Sequence, residues 1–204
     1  MHIEHVDVLR CPQPHEESWL VASIETMEGR EIVRGTLGCP VCRAEYPVRD
    51  REVQLGGTPS PSCELPDPEE TMRLAALLDL GEPGGVVVLA GGMGAHATSL
   101  RAMMDQRFVL LAAPANVATE QGVYAVSAPA ASFPFGEGVL RAVALDAARA
   151  ALAPAAARSL RAGGRLVAPA ETPVPVGIRE LARDDRQWVG EREGRPALVG
   201  LKRG

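Results

Sequence analysis

Lysine, long apolar runs and an excess of positive charge are what this chain has least of. Lys202 is the only lysine and every other basic side chain is arginine, a bias that marks a GC-rich coding sequence and carries no functional information. No apolar stretch approaches the roughly 18–20 residues of a bilayer-spanning helix. Residues 1–8, MHIEHVDV, lack the basic flank and apolar centre of an export signal. A cytoplasmic protein with no membrane partner is therefore expected. The 21 Lys and Arg stand against 26 Asp and Glu, a formal net charge of -5. Bulk electrostatics thus repel phosphate backbones, and nucleic acid is not the partner that charge indicates. Internal repeats are also missing.

What is present is a globular composition, 46% hydrophobic and 23% charged over 204 residues, enough for one ordinary domain or a small module joined to a compact one. The segment GGTPSPSCELPDP, residues 56–68, is dense in Gly, Pro and Ser without an apolar period and reads as a linker. The expected organisation is a small β module over 1–56, a linker over 57–68 and an α/β domain over 69–204. In the first part, residues 19–26 and 30–37 alternate as two strands around a Glu28-Gly29 turn, and residues 46–55 form a third extended piece. The second part alternates helix and strand. A helix over 69–80 stops at Gly81, and buried strands follow at 86–89, 108–112, 123–126, 140–145 and 165–167. Helices begin near Ala95 and run over 147–161. This order predicts right-handed crossovers and a mainly parallel sheet, closed by an antiparallel hairpin of 187–193 with 196–202.

The four cysteines are Cys11, Cys39, Cys42 and Cys63. In a reducing compartment the C-P-V-C spacing of Cys39 and Cys42 favours a metal or redox role over a disulfide. A tight C-x-x-C turn supplies two thiolates to a tetrahedral zinc. Cys11 opens CPQPH, where Pro14 stands at the place of a second C-x-x-C cysteine and His15 follows. Cys11, His15, Cys39 and Cys42 are the expected ligands of a structural zinc. His15 also lies in a polar run, HEES, that solvates a histidine without any metal, and His5 and Cys63 are alternative fourth ligands.

The runs DVLRCP (7–12), LGCPVC (37–42) and YPVRDREV (46–53) resemble the small zinc-ribbon subunit that activates tRNA, rRNA and release-factor methyltransferases, over about residues 3–55. The resemblance implies a ribbon that pairs with a methyltransferase domain, stabilising it and covering an apolar edge. Pro14 departs from the pattern by removing one usual cysteine, and the intervening hairpin is longer. The second part is similar to a class I AdoMet-dependent methyltransferase: strand, VLAGGMG turn, helix, strand, then SFPFGEG, strand and SLRAGGRLV. The fold class expected is thus α/β, a zinc ribbon followed by a Rossmann-like methyltransferase fold.

That likeness implies S-adenosylmethionine at Gly91, Gly92 and Gly94, where glycines let the backbone approach a ligand, with Asn116 as a weaker ribose contact. The three acids that orient the cofactor in active members are missing, their places taken by Val88, Ala112-Ala113-Pro114 and Ala128-Pro129. Asp105, Glu120 and Asp146 are the acids open to recruitment. Asp146 also reads as a helix N-cap, and His96 as either a ligand contact or a first-turn surface residue. The favoured function is a non-catalytic methyltransferase-like scaffold with a protein partner or a second copy. The alternatives are an active methyltransferase carrying its own activator ribbon, and a redox protein using Cys39 and Cys42. The ribbon is expected to dock on the sheet through Trp19 and the 46–53 strand.

Overall fold

The computed structural model describes residues 1–104 and 106–194. The first part builds an antiparallel meander of β1 (Val21–Glu28), β2 (Glu31–Gly38), β3 (Glu45–Arg49) and β4 (Glu52–Gln54). Gly29, at φ 59°, makes the first turn, as its glycine predicts. The expected single strand over 46–55 is instead two strands around Asp50 and Arg51, at φ 49° and 68°. Two consecutive left-handed residues match the twist of a tight hairpin; Asp50 tolerates that conformation, and Arg51 does not announce it. Arg51 holds the turn: its Nε donates to Glu31 Oε2 at 2.8 Å and its Nη2 reaches Glu28.

After the linker come α1 (Pro68–Leu77), β5 (Val86–Ala90), a 3-10 turn over Gly91–His96, α2 (Ala97–Met103), β6 (Arg107–Leu111), β7 (Val123–Ser127) and β8 (Leu140–Leu145). Next are a 3-10 turn over Ala147–Leu152, α3 (Ala153–Ser159), β9 (Leu160–Pro169), β10 (Ile178–Arg183) and β11 (Gln187–Arg192). Asp67 caps α1 by accepting from the Glu70 N–H at 2.7 Å. Asp79, at φ 54°, ends that helix before Gly81 is reached. The expected hairpin partner over 196–202 lies outside the described residues. β11 pairs with β10 on one side and β9 on the other, both antiparallel.

The eleven strands of the described residues form one sheet, in the order β1-β2-β3-β4-β7-β6-β5-β8-β9-β11-β10. Counted from β5, the second part reads 3-2-1-4-5-7-6, a doubly wound order whose switch point lies between β5 and β8. The meander joins it by backbone pairing: β4 runs parallel to β7, with Glu52, Val53 and Gln54 opposite Ala125, Val126 and Ser127. Of the expected 46–53 docking strand, only the end, Glu52 and Val53 in β4, pairs with β7; β3 pairs with β2 and β4 instead. Trp19 is not a docking element, being 56% exposed with the Arg10 guanidinium 3.2 Å from its ring centre.

A parallel sheet must be covered on both faces. One face carries α1 and α2, with Leu74, Leu78 and Leu100 packed on Val87, Leu89, Phe108 and Leu110. The links from β6 to β7 and from β7 to β8 contain no helix. The other face is closed by α3 and by the chain's own beginning, where a 3-10 helix over Ile3–Val8 places Val6, Val8 and Leu9 in one cluster with Val109, Leu111, Tyr124 and Val126. The meander and the α/β part share this core.

Candidate functional site

Two places carry chemistry: the Cys/His cluster of the first part and the glycine turn after β5. At the cluster, the β2 to β3 turn is closed by the Cys39 N–H donating to Ala44 O and the Arg43 N–H donating to Cys39 O, both 2.9 Å. Arg43 takes φ 60° to complete it. This presents buried Cys39 and exposed Cys42 on one side. Cys11 is brought opposite by the Arg10–Trp19 bridge and by its own N–H on Ser18 O at 3.1 Å. His15 closes the fourth side. The four ligand atoms lie within 4.8 Å of one another, with Cys11 Sγ 3.7 Å from Cys42 Sγ and Cys39 Sγ 3.4 Å from His15 Nε2. A zinc with about 2.3 Å sulfur bonds puts tetrahedral thiolates about 3.8 Å apart, so the spacing fits an ion at the centre.

The surroundings suit a ligand set as well. His15 Nδ1 lies 2.5 Å from Glu16 O, which as an Nδ1–H donor leaves the Nε2 lone pair facing the thiols. The Tyr46 hydroxyl is 3.2 Å from Cys11 Sγ. Burial works against ionisation at Cys39, but the backbone N–H groups of Cys42 and Val41 and the neighbouring thiols outweigh it and bring its thiol down to about 6. Burial pushes the Cys11 thiol up. The other sequence candidates lie elsewhere: His5 is 2% exposed and edge-on to Tyr124 at 5.0 Å, and Cys63 meets Asn116.

At the switch point, the glycine turn is occupied from within the chain. Gly91 has φ 62°, and a methyl group there would stand 2.2 Å from Asp146 Oδ2. That oxygen accepts from the Gly92 N–H at 2.7 Å, while Oδ1 accepts from the Arg149 N–H at 2.9 Å. Asp146 is thus the N-cap that sequence suggested and, beyond it, the acceptor of the turn's N–H. At Gly94 a methyl group would meet Pro114 Cδ at 2.9 Å. The glycines make room for Asp146 and Pro114, which the apolar run before the turn does not signal.

Asn116 is similarly engaged: its Oδ1 accepts from the Cys63 N–H at 3.2 Å and its Nδ2 donates to Cys63 O at 2.8 Å. The linker runs as a strap over the strand ends. The Ser60 N–H donates to Ala113 O at 2.9 Å, and the Ala115 N–H donates to Ser60 O at 3.1 Å. His96 is turned to α1, its Nδ1 3.0 Å from Thr71 Oγ1. At the positions that the methyltransferase likeness assigns to AdoMet, the Gly92 N–H holds the Asp146 carboxylate and Asn116 holds the strap. Asp105 is outside the described residues.

No family model matches the sequence and no curated protein matches it. Among solved structures, the chain is similar to geranyl diphosphate C-methyltransferase from Streptomyces coelicolor A3(2), crystallised with Mg2+, geranyl diphosphate and S-adenosyl-L-homocysteine. The identity is 20% and the TM-score 0.42, over 49% of this chain and 44% of that one. It thus spans less than half of the enzyme's length. A complex between the Haloferax volcanii Trm112 methyltransferase activator and its proposed methyltransferase overlaps at 13% identity and a TM-score of 0.48, covering 61% of this chain and 90% of that one. The [4+2]-cyclase SpnF overlaps at 11% and 0.45, over 62% and 64%. The strand order above, rather than these partial overlaps, makes this an α/β protein with a Rossmann-like, mainly parallel sheet and antiparallel C-terminal strands.

Proposed function

We propose that this protein is a non-catalytic scaffold: a methyltransferase-like sheet fused to a zinc-ribbon module, offering its surface to a protein partner. The observation that carries the reading is the Asp146 carboxylate on the Gly92 N–H, packed where a Gly91 Cβ would be. A backbone N–H that already holds an internal carboxylate has no hydrogen bond left for a ligand, and displacing that partner leaves a charge unpaired. With Asn116 bound to Cys63 as well, no described acid or amide stands free at the turn to hold a ribose.

Zinc is the group that the ribbon suits. Cys11, His15, Cys39 and Cys42 would hold it, and four protein ligands leave no open position, so its contribution is to folding. Calorimetric titration with AdoMet is the test, with a dissociation constant weaker than about 1 mM expected. Micromolar binding that Gly92→Val abolishes would overturn the scaffold reading in favour of an enzyme carrying its own activator.

A further inference from the structure

We infer a second site, at the junction of ribbon, strap and sheet, that takes a small organic cation: an ammonium or amidinium group on a short apolar body. A cavity of about 320 Å³ opens there, walled by Ala112, Pro114, Val117 and Ala125, with Pro59 from the strap and Glu52 from β4. This volume falls within the range of small-molecule sites. Its origin is the link from β6 to β7. Ala112, at φ 51°, swings the chain out of the strand, and the residues after it lie over the sheet without forming the helix that would fill this space.

Among the described residues, Glu52 is the only charged one of the lining. Val53 faces the shared core, so the strand's alternation turns Glu52 to the opposite face, towards the cavity. Its carboxylate makes no hydrogen bond or ion pair among the described residues. Arg51 is committed to Glu28 and Glu31, and Arg49, opposite Glu52 in the hairpin, leaves it unpaired. The two hydroxyls of the lining have spent their protons, Thr119 Oγ1 on Asp50 O at 3.2 Å and Ser127 Oγ on Val53 O at 3.5 Å. They face a ligand as acceptors. A partly buried lone carboxylate with acceptor hydroxyls and apolar walls selects a positive donor on an apolar body and rejects an anion.

The inference is independent of the scaffold reading: AdoMet bound as the likeness implies would perturb Gly91 to Gly94 together with 112–116, whereas a cation in the cavity would shift 112–119 and 125–127 and leave Gly91 to Gly94 unchanged. Two-dimensional NMR of the zinc-loaded full chain tests it, with benzamidine and butylammonium as probes and benzamide and butanol as neutral counterparts. Expected are shifts at 112–119 and 125–127 with each cation, at least tenfold weaker binding of the neutral partner, and weakening by salt. Glu52→Gln should keep the spectrum's dispersion and lose at least tenfold in benzamidine affinity. Ala113→Phe, which fills the cavity, should abolish the shifts. Equal binding of benzamide, unchanged affinity in Glu52→Gln, or no shifts at these residues would overturn the site.

Discussion

Gly91 and Asp146 form a pair whose members make sense only together. Gly91→Ala places a methyl group on the carboxylate at a left-handed backbone position and is expected to destabilise by about 2–4 kcal/mol. Asp146→Ala removes the partner of two N–H groups, an expected loss of about 1–3 kcal/mol. In the double variant the losses should fall short of their sum by at least about 1 kcal/mol, because the clash has gone. Urea unfolding of the four proteins measures this, and strict additivity would contradict the packing described. His5 makes a pH prediction. Burial, with smaller contributions from His2, Arg107 and the chain's first amine, lowers its pKa to about 3, and neither ring nitrogen has a hydrogen-bond partner among the described residues. The unfolded chain takes up this proton near pH 6.5 and the folded chain does not. Stability is thus complete above about pH 6.5 and falls by up to about 1.4 kcal/mol per pH unit down to about pH 3. The difference between wild type and His5→Leu should trace that slope, and parallel profiles would show that His5 is protonated without cost.

The element that joins the molecule is a strand of three residues, β4, and its central side chain, Val53, is 0% exposed. Val53→Ala is expected to cost about 1–3 kcal/mol, and Val53→Asp to release the ribbon from the sheet by burying a charge in the shared core. Limited proteolysis within residues 57–66 should accelerate in the aspartate variant and not in Glu52→Gln. Strands with continuous apolar runs, such as β5, β6 and β8, were legible because a parallel sheet buries both faces. The elements that were not legible have physical reasons. The Asp50-Arg51 turn has an arginine where a glycine would signal it, held by ion pairs to Glu28 and Glu31. The helix expected over 147–161 is a 3-10 turn followed by α3, with Pro154 in the first turn of the second piece. β10 is exposed at five of six positions and carries no apolar alternation. At the candidate sites, spacing brought out the cluster of Cys11, His15, Cys39 and Cys42. It could not show what fills the glycine turn, because Asp146 is 54 residues from Gly92.

Over the whole molecule, one sheet and a shared core predict that ribbon and α/β part unfold together. Calorimetry should give a single transition, and a strong zinc chelator should move all of it downwards; two resolved transitions would separate the parts. Residues 1–60 and 66–204, expressed apart and mixed, should associate at micromolar concentration and regain stability that neither has alone. The pairing of β4 with β7 has a further effect during synthesis. Gln54 and Val123 are far apart along the chain, and at about 5–20 residues per second roughly 3–14 s pass between their additions. Through that interval the finished meander has an unsatisfied row of backbone groups along β4, an invitation to mispair with other nascent chains. Slow decoding between the two strands would lengthen the hazard, so yield of the intact protein should respond to synonymous codon choice there more than after β7.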